Sequence, residues 1–312
     1  MKFSNNALLF SLLVLSACST ATVPPLSDVK VIAHGGGAAH WIRNSRNAAQ
    51  QLVAAKLNAE TRGQFDGIEV DIVLTADNVP ILAHDPWVST DLCESDTREL
   101  SSALLIKNIL KEELVSEFSC GGVSDPDHPS AEIHSESILD FEEFLTIVGQ
   151  TPELLVYLDL KIQLPLTKAA SDYAEAILTL WKSANTGNPL MIEVPDKESA
   201  TYFNAWRDRL EFELVLSYPP YYAGENWTLV GAVSAWQTFW RKDRPVEFAL
   251  DSNADSISSL MSLLPTTAVR ALQNERVGIV AFTARDYEQL HKDCLSGASI
   301  VITDVPLSGP CP

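Results

Sequence analysis

Short apolar runs rich in β-branched residues recur along the whole chain with helical stretches between them, and this alternation narrows the fold more than any other feature. The runs are Val29 to His34, Gly67 to Thr75, Val79 to His84, Leu154 to Ile162, Leu190 to Val194, Glu211 to Ser217, Val277 to Thr283 and Ser299 to Thr303. Helical spacing falls between them, over Ser45 to Asn58, Asp140 to Val148, Thr167 to Ser183, Lys197 to Leu210 and Arg285 to Leu295. Two further segments, Ala232 to Trp236 and Val246 to Leu250, read either way, so there are more candidates than eight strand positions. Alternating strands and helices over this length predict one α/β domain, a (β/α)8 TIM barrel. An open doubly wound sheet is the second choice, but its glycine-rich dinucleotide fingerprint is missing. The stretch Pro86 to Pro129, with Cys93, Cys120 and a Gly121-Gly122 break, reads as an insertion after the third strand. There is no internal repeat.

The N-terminus stands apart. Lys2 precedes the apolar run Ala7 to Leu15, which suits a secretory signal and is too short to span a bilayer. It ends in Leu15-Ser16-Ala17-Cys18, which resembles a bacterial lipobox. The expectation is a lipoprotein signal peptide over 1–17, acylated Cys18, a tether over 18–28 and one domain over 29–312. Ser19 in place of aspartate directs such a lipoprotein to the outer membrane, here expected to face the periplasm. Among the remaining cysteines, export favours two disulfides. Three pairings are possible, and Cys93 with Cys120 and Cys294 with Cys311 are favoured because each closes a local loop. No C-x-x-C spacing supports a thiolate metal site.

Charge restricts the partners. Forty-one acidic residues against 22 basic ones give a formal charge of -19, and no basic patch is evident, so nucleic acid and anionic membrane surfaces are excluded as partners. Membrane attachment is expected through the lipid alone.

Polar residues at the strand ends carry the chemistry. Glu69 and Asp71 are two residues apart on a strand, so they project from one face and can reach one ion. His34 closes the first run, His84 and Asp85 close the third, and Asp159 and Lys161 lie at i and i+2 on the fourth. Barrel active sites form at that rim. Carboxylate oxygens suit one hard divalent cation, Mg²⁺ or Ca²⁺. Two histidines can divide proton removal and proton donation, and Lys161 adds a cation for a phosphate oxygen. Together they point to phosphodiester cleavage.

The runs VIAHGG, DGIEVDIVLTADNVPILAHDP, LVYLDLKI, VGIVAFTARD and ASIVITDVP resemble the glycerophosphodiester phosphodiesterase family, within the superfamily of phospholipase C-like barrels. The resemblance implies metal-dependent hydrolysis of glycerophosphodiesters to glycerol 3-phosphate and an alcohol, by attack of the neighbouring glycerol hydroxyl through a cyclic phosphate. It implies His34 and His84 as the acid/base pair, Glu69, Asp71 and Asp159 as metal ligands, and Lys161 on the phosphate side. Departures are visible too. The family follows its first histidine with arginine, where this chain has Gly35, and its P-E-N-T element is reduced to Ile42-Arg43-Asn44-Ser45. Asp159 replaces a glutamate. Arg43 or Arg46 is a candidate replacement for the lost arginine, although an exposed helix-start charge is the simpler reading of each.

These departures keep open a lysophospholipid or sphingolipid substrate, as in the sphingomyelinase D branch. They also keep open a non-catalytic lipoprotein that binds a phosphodiester or an envelope partner. Tyr218, Tyr221, Tyr222, Trp227, Trp236, Phe239 and Trp240 are candidate pocket aromatics, more simply read as packing. Asp304 reads as turn-capping at least as readily as catalytic, and Glu193 as an ordinary strand-end charge.

Overall fold

The computed structural model describes residues 29–219 and 244–311. The signal segment, the lipidated Cys18, the tether and all the candidate aromatics except Tyr218 lie outside these residues, as does Ala232 to Trp236. Eight parallel strands close into a barrel: β1 (Lys30–Ala33), β2 (Gly67–Leu74), β6 (Leu155–Leu160), β7 (Leu190–Val194), β8 (Glu213–Ser217), β9 (Ser256–Ser259), β10 (Gly278–Ala284) and β11 (Ile300–Thr303). β11 pairs back onto β1, with Lys30 opposite Ile300 and Ala33 opposite Thr303.

Both faces of these strands are buried, which explains their nearly continuous apolar sequences. Ile32, Tyr157, Met191, Val215, Val280 and Ile302 pack inside the barrel. Val31, Val70, Leu158, Ile192 and Leu214 face outward into the larger core under the helices. Those helices include α1 (Arg46–Leu57), α3 (Phe141–Val148), α4 (Ala170–Ala184), α5 (Lys197–Asn204), α6 (Arg244–Asp251), α7 (Thr266–Asn274) and α8 (Tyr287–Cys294). Ser45, Asp140, Asp196 and Asp286 cap four of them by accepting a backbone N–H, each contributing about 1 kcal/mol.

Two strand assignments change. Val79 to His84 contains β3 (Pro80–Leu82), an antiparallel neighbour of β2 and not one of the eight barrel strands. The remaining barrel position belongs to β9, whose sequence Ser-Ile-Ser-Ser shows no apolar run although all four residues are buried. Gly278 accommodates it, because a Cβ there would lie 2.2 Å from the Ser256 Oγ. Val246 to Leu250 is helical, within α6. The helix expected to reach Leu210 stops at Asn204, where the chain turns and Arg207 forms an ion pair with Asp255 at 2.5 Å.

The insertion follows the β2–β3 hairpin and holds its own apolar cluster of Val88, Ile106, Leu114, Phe118 and Ile138. It contains α2 (Lys111–Glu117) and the short antiparallel pair β4 (Cys93–Glu94) and β5 (Ser119–Cys120). Cys93–Cys120 joins that pair, and Cys294–Cys311 ties the chain end to α8, both as expected. Loop closures of this size contribute about 3 kcal/mol each.

Candidate active site

β2 is the longest strand of the barrel, and Glu69 and Asp71 point inward from it while Val70 and Ile72 face the outer core. Asp71 lies in register with Asp159 on β6, and Asp159 with Glu193 on β7, so carboxylates stand on three adjacent strands. Oxygens of Glu69, Asp71 and Asp159 all lie within 4.8 Å of one another. Lys161 closes the group, with Nζ 2.8 Å from Asp71 and 2.5 Å from Asp159. A salt bridge to Asp159 and membership of the cluster are therefore the same fact.

His34 sits in the turn after β1. Its Nδ1 is 2.6 Å from Asp304 Oδ1, and its Nε2 is 4.0 Å from Glu69. Asp304 is buried at the end of β11, and it also receives His128 Nε2 at 3.3 Å. Gly35 donates its amide to Glu69 at 2.7 Å. A side chain at position 35 has no room, since its Cβ would come within 2.6 Å of the Arg43 Cβ. That close approach lets the loop after β1 fold back and deliver Asn44. Asn44 donates Nδ2 to Asp71 at 2.6 Å and accepts the Asp71 amide at 3.0 Å.

His84 arrives by a different route from the one its sequence position suggests. The hairpin reverses after β2, and the Ala83 amide donates to the Asp71 carbonyl at 3.1 Å. The next residue is therefore brought back to the level of the carboxylates. His84 is about half exposed, with Nδ1 2.9 Å from Asp85. Arg43 and Arg46 are both engaged elsewhere. Arg43 lies 3.6 Å from Asp125 and 3.9 Å from Asp127, and Arg46 is 2.5 Å from Glu143.

The ionisation states follow from crowding in a buried space. Burial, with the charge of Asp71 beside it, pushes Glu69 up to about 8. Burial also opposes ionisation of Asp71, but Lys161, His84 and His34 outweigh it and hold that carboxyl well below its usual range. Burial disfavours the charge on His34, yet the Asp304 hydrogen bond and the charges of Glu69, Asp304 and Asp71 push it up to about 9. For Lys161, the burial cost is exceeded by Asp159 and Asp71, so its pKa stands well above the ordinary value. A carboxylate group this repelled and this rich in oxygen suits a hard divalent cation, which would relieve the repulsion.

Residues 53–308 match the sequence profile of the Glycerophosphoryl diester phosphodiesterase family. The chain belongs to this family, whose members are phosphoric diester hydrolases. The match begins downstream of His34, where the glycine turn departs from the family pattern. No curated protein matches the sequence significantly. Solved structures agree on the fold. A Silicibacter pomeroyi protein provisionally named a glycerophosphoryl diester phosphodiesterase is 16% identical, with a TM-score of 0.69, and the match covers 89% of this chain and 90% of that one. An Oleispira antarctica phosphodiesterase, solved in complex with the product sn-glycerol-3-phosphate, is 18% identical with a TM-score of 0.65, over 89% and 94% of the two chains. The Thermotoga maritima glycerophosphodiester phosphodiesterase is 15% identical with a TM-score of 0.57, over 90% and 96%.

In this phosphodiesterase the structure brings together His34, Glu69, Asp71, Asp159 and Lys161, with His84 at the edge. Three further participants join them: Asn44, which the sequence shows only as part of a reduced motif, Asp304, which it leaves open between turn cap and catalytic residue, and His128, which no sequence signal singles out. Only the invariant partnering rule for a buried charge identifies them, and burial is not visible in a sequence. Glu193 is likewise more than a strand-end charge. It is buried, accepts from Tyr157 Oη at 2.5 Å and Ser217 Oγ at 2.6 Å, and is raised to about 7 by burial and by Asp159.

Proposed function

We propose that this protein hydrolyses a glycerophosphodiester to glycerol 3-phosphate and an alcohol, with His34 and His84 moving the protons and Glu69, Asp71 and Asp159 holding one Mg²⁺ or Ca²⁺. One observation carries the reading: an imidazole held at Nδ1 by a buried aspartate stands beside three clustered carboxylates that a lysine closes. With Nδ1–H given to Asp304, the His34 Nε2 is the nitrogen left to take a proton from the attacking hydroxyl. His84, at the exposed edge, gives a proton to the departing alcohol oxygen, which leaves a cyclic phosphate that water then opens to glycerol 3-phosphate. Lys161 offers its charge to a phosphate oxygen, and Asn44 holds Asp71 in place by two hydrogen bonds. When bound, the cation would neutralise phosphate charge and draw Glu69 and His34 back toward their ordinary ranges.

The test is turnover of the chain from Ser19 onward on glycerophosphocholine, glycerophosphoethanolamine, lysophosphatidylcholine and sphingomyelin, with Mg²⁺, Ca²⁺ or chelator. Glycerol 3-phosphate release that chelator stops is the expected result. Cleavage of the acylated pair alone would move the protein to the sphingomyelinase D-like branch, and silence on all four would favour a binding lipoprotein. We also infer a lipid-anchored enzyme of the bacterial outer membrane, from the lipobox-like Leu15 to Cys18. Labelling with a fatty-acid analogue that Cys18→Ala abolishes is the expected check.

A further inference from the structure

The insertion reaches into the active site through one side chain. His128 lies in the segment Asp125-Pro126-Asp127-His128, which folds as a tight turn: the Asp127 amide donates to Asp125 Oδ1 at 2.9 Å and the His128 amide to the Asp125 carbonyl at 3.1 Å. Asp125 is buried, and Arg43 from the loop after β1 holds both acids of the turn at 3.6 and 3.9 Å. The turn is thereby fastened to the loop that follows His34. A second tie lies close by, where the Glu132 amide donates to the His40 carbonyl at 2.8 Å.

So placed, His128 brings Nε2 to 3.3 Å from Asp304 Oδ2, the oxygen that His34 Nδ1 does not approach. We propose that His128 is a positioning residue for the phosphodiesterase reaction, donating Nε2–H to Asp304 Oδ2 so that Oδ1 stays aligned on His34 Nδ1. This rests on the phosphodiesterase reading for its kinetic consequence, but not for its geometry. A carboxylate is planar and accepts at both oxygens, so fixing one oxygen fixes the plane in which the other lies. A buried carboxylate with one partner removed keeps the desolvation cost and loses the restraint. The arrangement also gives Arg43 a task. It stands where a side chain at position 35 would begin and supports the turn that carries His128.

The experiment compares His128→Ala and His128→Gln in the full-length chain, because a glutamine amide can replace the Nε2–H donor without the imidazole. His128→Ala is expected to lower kcat about tenfold at unchanged KM, and His128→Gln to restore most of it, the scale seen when an outer partner that orients an active-site histidine is removed. Equal kcat in both variants and the wild type would overturn the proposal, as would a loss that His128→Gln fails to recover. The His34 Nδ1 proton, assigned in NMR spectra by its absence from His34→Ala, supplies a readout independent of turnover. It is expected to shift in His128→Ala and return in His128→Gln. An unmoved resonance would overturn the positioning role even if the wild type showed no phosphodiesterase activity, an outcome that would by itself count only against the function proposed above.

Discussion

The two histidines at the barrel mouth are held in contrasting ways. His34 is mostly buried, and its aspartate partner comes from the far end of the chain, at 2.6 Å and itself almost wholly buried. His84 is about half exposed, and its partner is simply the next residue, at 2.9 Å and also in solvent contact. The same Nδ1 to carboxylate contact therefore has different weight in the two places. Water competes with the Asp85 contact and screens it, whereas the Asp304 contact lies where a lost partner leaves a buried charge uncompensated. A fixed imidazole suits the group that must meet a nucleophile in one geometry. A looser one suits a group at the edge where an alcohol departs.

The largest effects should come from the imidazoles themselves. His34→Ala and His84→Ala are each expected to lower kcat about a thousandfold, within the range for losing a positioned acid or base. Steady-state turnover on glycerophosphocholine measures this, and near wild-type activity in either variant would remove that histidine from the mechanism.

The aspartates then sharpen the contrast. Asp304→Asn should lower kcat about a hundredfold or more, because an amide cannot enforce the same imidazole tautomer. Asp85→Asn should change kcat by less than about threefold, as expected of an exposed pair. Equal losses in the two variants would break the distinction between a buried and a screened partner.

Protons offer a gentler test. Glu69 is raised to about 8 from 4.5, and His34 to about 9 from 6.5. A group raised on folding contributes stability that is fully present below its unfolded pKa and is lost as pH rises through its folded one. In chelator, the melting temperature should therefore fall between about pH 5 and 9. Asp71 works in the opposite sense, its contribution being lost only in acid as pH falls through its depressed value. Glu69→Gln should flatten the decline, while His84→Ala should leave most of it in place. A melting temperature that stays level in the wild type over this range would contradict the ionisation states described.

The smallest expected change joins the proton to the metal. Mg²⁺ or Ca²⁺ should raise the melting temperature more at pH 8 than at pH 5, since the cation and a proton compete for Glu69. Thermal shift at both pH values decides it, and an equal shift would argue that Glu69 is not a ligand.

Much of the fold could be read before any coordinates. Strands buried on both faces need near-continuous apolar runs, and seven of the barrel strands have them. The eighth, β9, does not. Ser256 sits opposite Gly278 and Ser258 opposite Val280, alternating with Ile257 in the outer core, and a strand that fills a narrow space with small polar side chains carries no hydrophobic period. β3 was legible as a strand, but its direction was not, because pairing sense depends on the turn at Ala76 to Asn78 and leaves no mark in the strand itself.

The site divides along the same line. Glu69 with Asp71, and Asp159 with Lys161, are local pairs whose common direction follows from the two-residue period of a strand. Sequence by itself determined those pairs and the alternating architecture, and favoured the two disulfides among three possible pairings, because each depends on short-range spacing or on export chemistry. Tertiary structure alone decided that Asp304 and His128 stand behind His34, that Asn44 braces Asp71, and that Arg43 turns to the insertion. These are contacts between distant segments, selected because a buried charge must find a partner wherever the closed barrel places one.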